Sequence, residues 1–256
     1  ACGSLCKAYP ESVSIDSLWE RFVEQLTDQI WSVRADAAVA LGDALEAYGE
    51  PLWTRIRDLI AKLLPSALQQ PSMTESEYKQ HINDPEMHTN TQLYSCGSLA
   101  PKLRKNRIGC SSCGIDRPKM PWEATDGCLY LIREVVLRGC AEDPKVTISD
   151  EVLVDIWQQM MDVCRVQNFP QSHELRATLW KNVTVMAQAL GKERFKRTYL
   201  ELTLQLLFSN LESSAASALS KHAAGECLDA ISNFIGRSIF RDRLDDSHLS
   251  TSDHLL

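Results

Sequence analysis

The stretch Asp28-Gln-Ile-Trp31-Ser-Val33-Arg34-Ala-Asp-Ala37-Ala38-Val-Ala-Leu41-Gly42 decides how the rest of the chain reads. Val33, Ala37, Leu41 and the following Leu45 recur every four positions, the spacing of one face of an α-helix. Ala37 and Ala38 are small enough to let a neighbouring helix approach closely. Upstream, Ser14 or Asp16 can cap an earlier helix whose Leu18, Trp19, Phe22, Val23 and Leu26 share a face, and Asp28-Gln29 separates the two. Downstream, the second helix ends near Tyr48-Gly49, with Gly49 placed for the left-handed conformation that closes many helices. The unit is a helical hairpin.

The pattern recurs. A cation followed fifteen positions later by Gly appears as Arg34/Gly49, Arg176/Gly191 and Lys221/Gly236, each pair bracketing a small-and-apolar helix. A looser copy runs from Trp122 to Gly139, with Thr125 in place of the Arg. First helices are expected at about 51–69, 149–166 and 192–211, with Pro51 and Asp150 as start signals. The aligned positions 34, 125, 176 and 221 are 91, 51 and 45 residues apart. The first gap therefore holds an insertion, and no strand-like alternation persists anywhere.

The residues Asp28, Val33-Arg34, Ala37 and Leu41-Gly42 resemble the HEAT-repeat family of armadillo-like helical proteins. The resemblance implies an all-α fold, an α-solenoid of about four HEAT-like hairpins with a long irregular insertion in the second. It also implies that Asp28 in the turn and Arg34 at the start of the second helix link neighbouring repeats, with Arg176 and Lys221 matching Arg34. In that family the second helices commonly line the concave, partner-binding side. Stacked repeats of this kind contact mainly their neighbours and offer an extended surface. Four segments follow: 1–70, the first hairpin and the first helix of the second; 71–121, the insertion; 122–240, the remaining hairpins; and 241–256, a polar tail.

The insertion is polar and carries Cys96, then Cys110-Ser-Ser-Cys113. A Cys-x-x-Cys turn presents two thiolates to a tetrahedral metal, typically zinc, with Cys96 as a third ligand and His88 or His81 as a fourth. An ordered loop without metal and a redox pair are the other readings of the same residues. Lys102, Arg104, Lys105 and Arg107 place four cations within six residues. They suit a docking strip for an acidic protein surface, such as the acidic tails of a cytoskeletal polymer. A phosphate-contacting patch, a nuclear-import signal and an ordinary solvated loop use the same residues.

The 256 residues carry a formal charge of −7, which argues against a general nucleic-acid binder. No apolar run approaches membrane-spanning length. The start Ala-Cys-Gly-Ser-Leu-Cys has no basic and apolar leader pattern and is expected to derive from a longer chain. Nine cysteines are too sparse for a disulfide scaffold and point to a reducing setting: cytoplasm or cytoskeleton, with the nucleus as the other choice. No phosphate-binding Gly loop, GxSxG elbow or HExxH motif is present. The expected function is therefore a non-enzymatic protein-interaction scaffold without a cofactor, part of a larger chain or complex. The alternative is a zinc-stabilised nucleic-acid or nucleoprotein module built on 71–121.

Overall fold

The computed structural model describes residues 2–83 and 118–244. Among them every regular element is helical. In order these are α1 (Cys2–Ala8), α2 (Ile15–Leu26), α3 (Trp31–Tyr48), α4 (Glu50–Leu63), a 3-10 segment (Leu64–Gln69), α5 (Glu75–Asn83) and α6 (Pro121–Gly139). Then follow α7 (Asp150–Arg165), α8 (Ser172–Leu190), α9 (Lys192–Arg194), a π-helical segment (Phe195–Tyr199), α10 (Leu200–Glu212), α11 (Ala218–Ile235) and α12 (Arg237–Arg241).

Helices α3, α6, α8 and α11 lie side by side in chain order, each packed chiefly on the one before and the one after. Helix α1 packs on α3 at the start of this row. The helices that precede each member cover the row: α2 on α3, α4 and its 3-10 extension on α6, α7 on α8, and α10 on α11. One apolar core runs through all of them, with Leu41, Ile56, Leu129, Trp157, Trp180, Leu207 and Leu228 almost wholly buried. Small residues favour close approach: Ala37, Ala38 and Ala44 of α3 are buried in the core.

Backbone and capping choices at the helix ends are local. Ser149 begins α7 by accepting a hydrogen bond from the Val152 amide at 3.4 Å, and Ser217 begins α11 by accepting from Ser220 at 3.2 Å. Gly49, Gly191 and Gly236 have φ of 63°, 79° and 105° with extended ψ. This differs from the left-handed helical cap expected at Gly49. An extended ψ at positive φ is open essentially to glycine alone, and it turns the chain directly into the next helix.

Three elements depart from the sequence reading. Helix α1 had no periodic signature. The first helix of the last hairpin is divided by a π segment whose Phe195 and Tyr199 rings pack against Trp157, with centroids 6.1 and 4.9 Å away. The insertion opens with a helix, α5, capped by a Thr74–Glu77 box: the Thr74 amide donates to Glu77 Oε2 at 2.8 Å and the Glu77 amide to Thr74 Oγ1 at 3.3 Å.

Candidate functional site

Arg34 enters at the first turn of α3 and is 2% exposed. Its Nη1 donates to the carbonyls of Asp28 and Gln29 at 2.7 and 3.1 Å, holding the chain that leaves α2. Its Nε and Nη2 both reach Asp126 Oδ2 on α6, at 2.8 and 2.7 Å, and its guanidinium lies 5.2 Å from the Trp122 ring centroid. Asp126 also accepts from Thr178 on α8. One carboxylate thus joins three successive helices of the row. Burial pushes the Asp126 carboxyl above its ordinary range, against the opposing pull of Arg34 and Thr178.

Asp28 itself accepts from the Ile30 amide at 2.8 Å, shaping the turn that presents Arg34. Arg176 opens α8 in the same manner: Nε and Nη2 donate to the carbonyls of Cys164 and Arg165, both at 2.8 Å, at the end of α7. Its forward partner is an amide, Asn210 Oδ1 on α10, at 2.9 Å. Asn210 in turn donates to the Ser220 carbonyl of α11 at 3.1 Å. Desolvation lowers the Arg176 pKa to about 10. Lys221 follows Ser220 and is half-buried; it is Ser220 that bonds to Asn210.

Thr125 occupies the corresponding place in α6 and is fully buried. Its hydroxyl lies 2.9 Å from the Leu64 carbonyl as donor and accepts from the Ala67 amide at 2.8 Å. A hydroxyl therefore secures the end of the preceding helix where the first and third hairpins use guanidinium. A second polar row crosses the same helices. Arg138 on α6 reaches Asp43 and Glu46 on α3 at 3.1 and 2.9 Å, while Arg133 binds Glu134 at 2.7 Å and Asn182 on α8 at 3.2 Å.

The sequence pointed to Arg34, Asp28 and Arg176, and the structure places all three at the mouths of hairpin turns. It gave no sign of Asp126, Asn210 or the Arg133–Arg138 row, since these partners lie 34 to 95 residues away. Lys102, Arg104, Lys105, Arg107, Cys96, Cys110, Cys113 and His88 lie outside the described residues. The described cysteines Cys128, Cys164 and Cys227 are buried thiols, the last two pushed up to about 12 by desolvation. Among the described residues no group of three or more His, Cys, Asp or Glu side chains is placed to hold a metal ion, and no helix is long and apolar enough to cross a membrane.

In the row α3–α6–α8–α11, Trp31 (64% exposed), Val39 and Val185 stand in solvent, and Tyr130 and Arg133 are half-buried. Arg133 sits 5.4 Å from the Tyr130 ring centroid. Aromatic and arginine side chains on a rigid helical face are the residue types that anchor protein interfaces. No protein-family model matches the chain, nor does any curated protein or solved structure. Its class rests on its own geometry: an all-helical protein built from hairpins laid side by side.

Proposed function

We propose that this chain is a non-enzymatic protein-interaction scaffold, an α-solenoid of about four HEAT-like hairpins that works in the cytoplasm or on the cytoskeleton as part of a larger assembly. The observation that carries this reading is the serial packing of α3, α6, α8 and α11, each on its chain neighbours. Such a row offers one long face, along which Trp31, Val39, Tyr130, Arg133 and Val185 supply anchors. The basic run Lys102, Arg104, Lys105 and Arg107 adds a docking strip for a partner with an acidic surface.

The test is capture of cross-linked partners from a reducing cell extract, identified by mass spectrometry. One variant reverses the four insertion charges; a second carries Trp31→Ala, Val39→Asp and Val185→Asp. Loss of the same partner from one or both variants supports the scaffold, and capture unchanged by either overturns it. The zinc reading keeps its own support in the Cys110-Ser-Ser-Cys113 spacing. Near-stoichiometric zinc in purified protein, lost when both cysteines become Ser, would favour it.

A further inference from the structure

We infer that the open side of α6 and α8 is a docking site for an acidic peptide segment of a partner protein, one whose carboxylate has a large apolar residue beside it. The inference rests on the scaffold reading and gives that scaffold's ligand a chemistry. Two stripes of side chains carry it. On α6, Tyr130, Arg133 and Leu137 follow one another at helical spacing; on α8, Thr178, Lys181 and Val185 do the same. The stripes lie side by side and run the same way. The Tyr130 and Thr178 hydroxyls are hydrogen-bonded, and one turn further on Arg133 Nη1 donates to Asn182 Oδ1 at 3.2 Å. Lys181 and Val185 are exposed, and the other four are half-buried.

The charge of this surface is unbalanced. Neither stripe holds an acid, and the two cations stand at the middle, with Tyr130 towards one end and Leu137 and Val185 towards the other. No carboxylate among the described residues pairs with the exposed Lys181. The acids around the surface are engaged. Glu134 is buried and takes Arg133 Nε and Nη2 on one oxygen, at 2.9 and 2.7 Å. On α11, Glu226 pairs with His222 and Asp229 with Arg237, both at 3.5 Å. Glu174, two turns before Lys181, lies 4.0 Å from His173. The bonds of Arg133 use one hydrogen on each Nη and leave the other.

A buried donor marks the same spot. Asn182 is 2% exposed; its Oδ1 is taken by Arg133, and its Nδ2 has no partner among the described residues. A buried amide without an acceptor is an exception in folded proteins and signals a missing one. Arg133, Lys181 and Asn182 thus gather as donors with no acidic acceptor left over. An incoming carboxylate supplies that acceptor and makes charge-assisted bonds to the guanidinium and the ammonium. Its apolar neighbour packs on Tyr130, or on Leu137 and Val185. A basic or purely apolar segment would instead cover Arg133 and Lys181 without a counter-charge, which weakens binding.

Selection of random phage-displayed peptides on the whole chain tests this. The enriched peptides should carry Asp or Glu within about two residues of a large apolar side chain. A synthetic copy of one, followed by fluorescence anisotropy, should bind Lys181→Glu about tenfold more weakly than the parent and Lys181→Arg within about twofold of it. Val185→Asp should also cost about tenfold, and raising salt from about 50 to 500 mM should weaken binding at least threefold. Both positions are exposed, and an unchanged melting temperature shows that the variants fold. No enrichment, enriched peptides without an acid, or binding unmoved by Lys181→Glu would each overturn the site. So would a dimer of this chain that Lys181→Glu dissolves, since a second copy would then occupy the surface. Failure of the scaffold reading shows separately, as partner capture unchanged by the face and insertion variants.

Discussion

The first and third hairpins solve one problem with different chemistry. Arg34 and Arg176 are both 2% exposed, and both hold two carbonyls at the end of the helix before them. Beyond that they diverge, since Arg34 reaches a carboxylate, Asp126, and Arg176 an amide, Asn210. Thr125 in the second hairpin shows that even the charge is dispensable for the backward grip. In these three hairpins the position supplies a donor for carbonyls at or just beyond the end of the preceding helix; what lies forward depends on the neighbour.

The same contrast appears in the glycines. A Cβ on Gly127 of α6 would stand 1.8 Å from the Leu26 carbonyl oxygen at the end of α2. A Cβ on Gly225 of α11 would meet nothing within 4 Å. The first two hairpins meet backbone to backbone, whereas Gly225 has no close neighbour among the described residues.

The largest expected effect is Arg34→Met, at about 3–5 kcal/mol, because it leaves Asp126 as a buried charge without its guanidinium. Arg176→Met should cost about 1–3 kcal/mol, the range for buried acceptors left unsatisfied. Urea denaturation of the two variants measures the difference, and equal losses would mean that the carboxylate adds nothing to the first interface. Adding Asp126→Leu to Arg34→Met should recover a large part of the loss.

Gly127→Ala should come next, at about 3 kcal/mol, since backbone cannot yield as a flexible side chain does. Thr125→Val is expected to cost about 1–3 kcal/mol by stranding the Ala67 amide and Leu64 carbonyl. A Thr125→Val protein as stable as the parent would show that the hydroxyl is not the counterpart of the two arginines.

The pH response separates the arginines in another way. A carboxyl whose folded pKa is raised binds its proton more tightly in the folded chain. Its contribution is therefore greatest below the ordinary value of 3.8 and falls as pH rises toward the folded pKa. Asp126→Asn should remove that decline from the stability measured as the pH is raised above 4. No difference in slope between the two proteins would place Asp126 at its ordinary value. Smallest is Gly225→Ala, expected to stabilise by about 0.5–1 kcal/mol through helix propensity alone, read as a rise in melting temperature.

Several features were legible in the residue order and some of them went unread. The apolar period of α3, α6, α8 and α11 is a local property, visible without any partner. The Thr74-Glu-Ser-Glu77 box that starts α5 was equally local, but it sits in a polar stretch where no apolar period draws attention to it. The π segment was not legible. Its register shift accompanies the packing of Phe195 and Tyr199 on Trp157, contacts made across roughly 40 residues. Lys221 aligned with Arg34 by spacing, yet the bonds at that turn run through Asn210 and Ser220.

Residue order by itself determined that this protein is helical, where its hairpins turn, and that α3, α8 and α11 end at the glycines 49, 191 and 236. Each of these depends on neighbours within one or two turns of chain. Tertiary structure alone decided which carboxylate or amide meets each buried arginine, where α2 touches α6 at Gly127, and that Tyr78 anchors the insertion to the third hairpin. Those choices rest on desolvation and close approach between segments 34 to 101 residues apart. Burial is a property of the assembled core, and no local pattern encodes it.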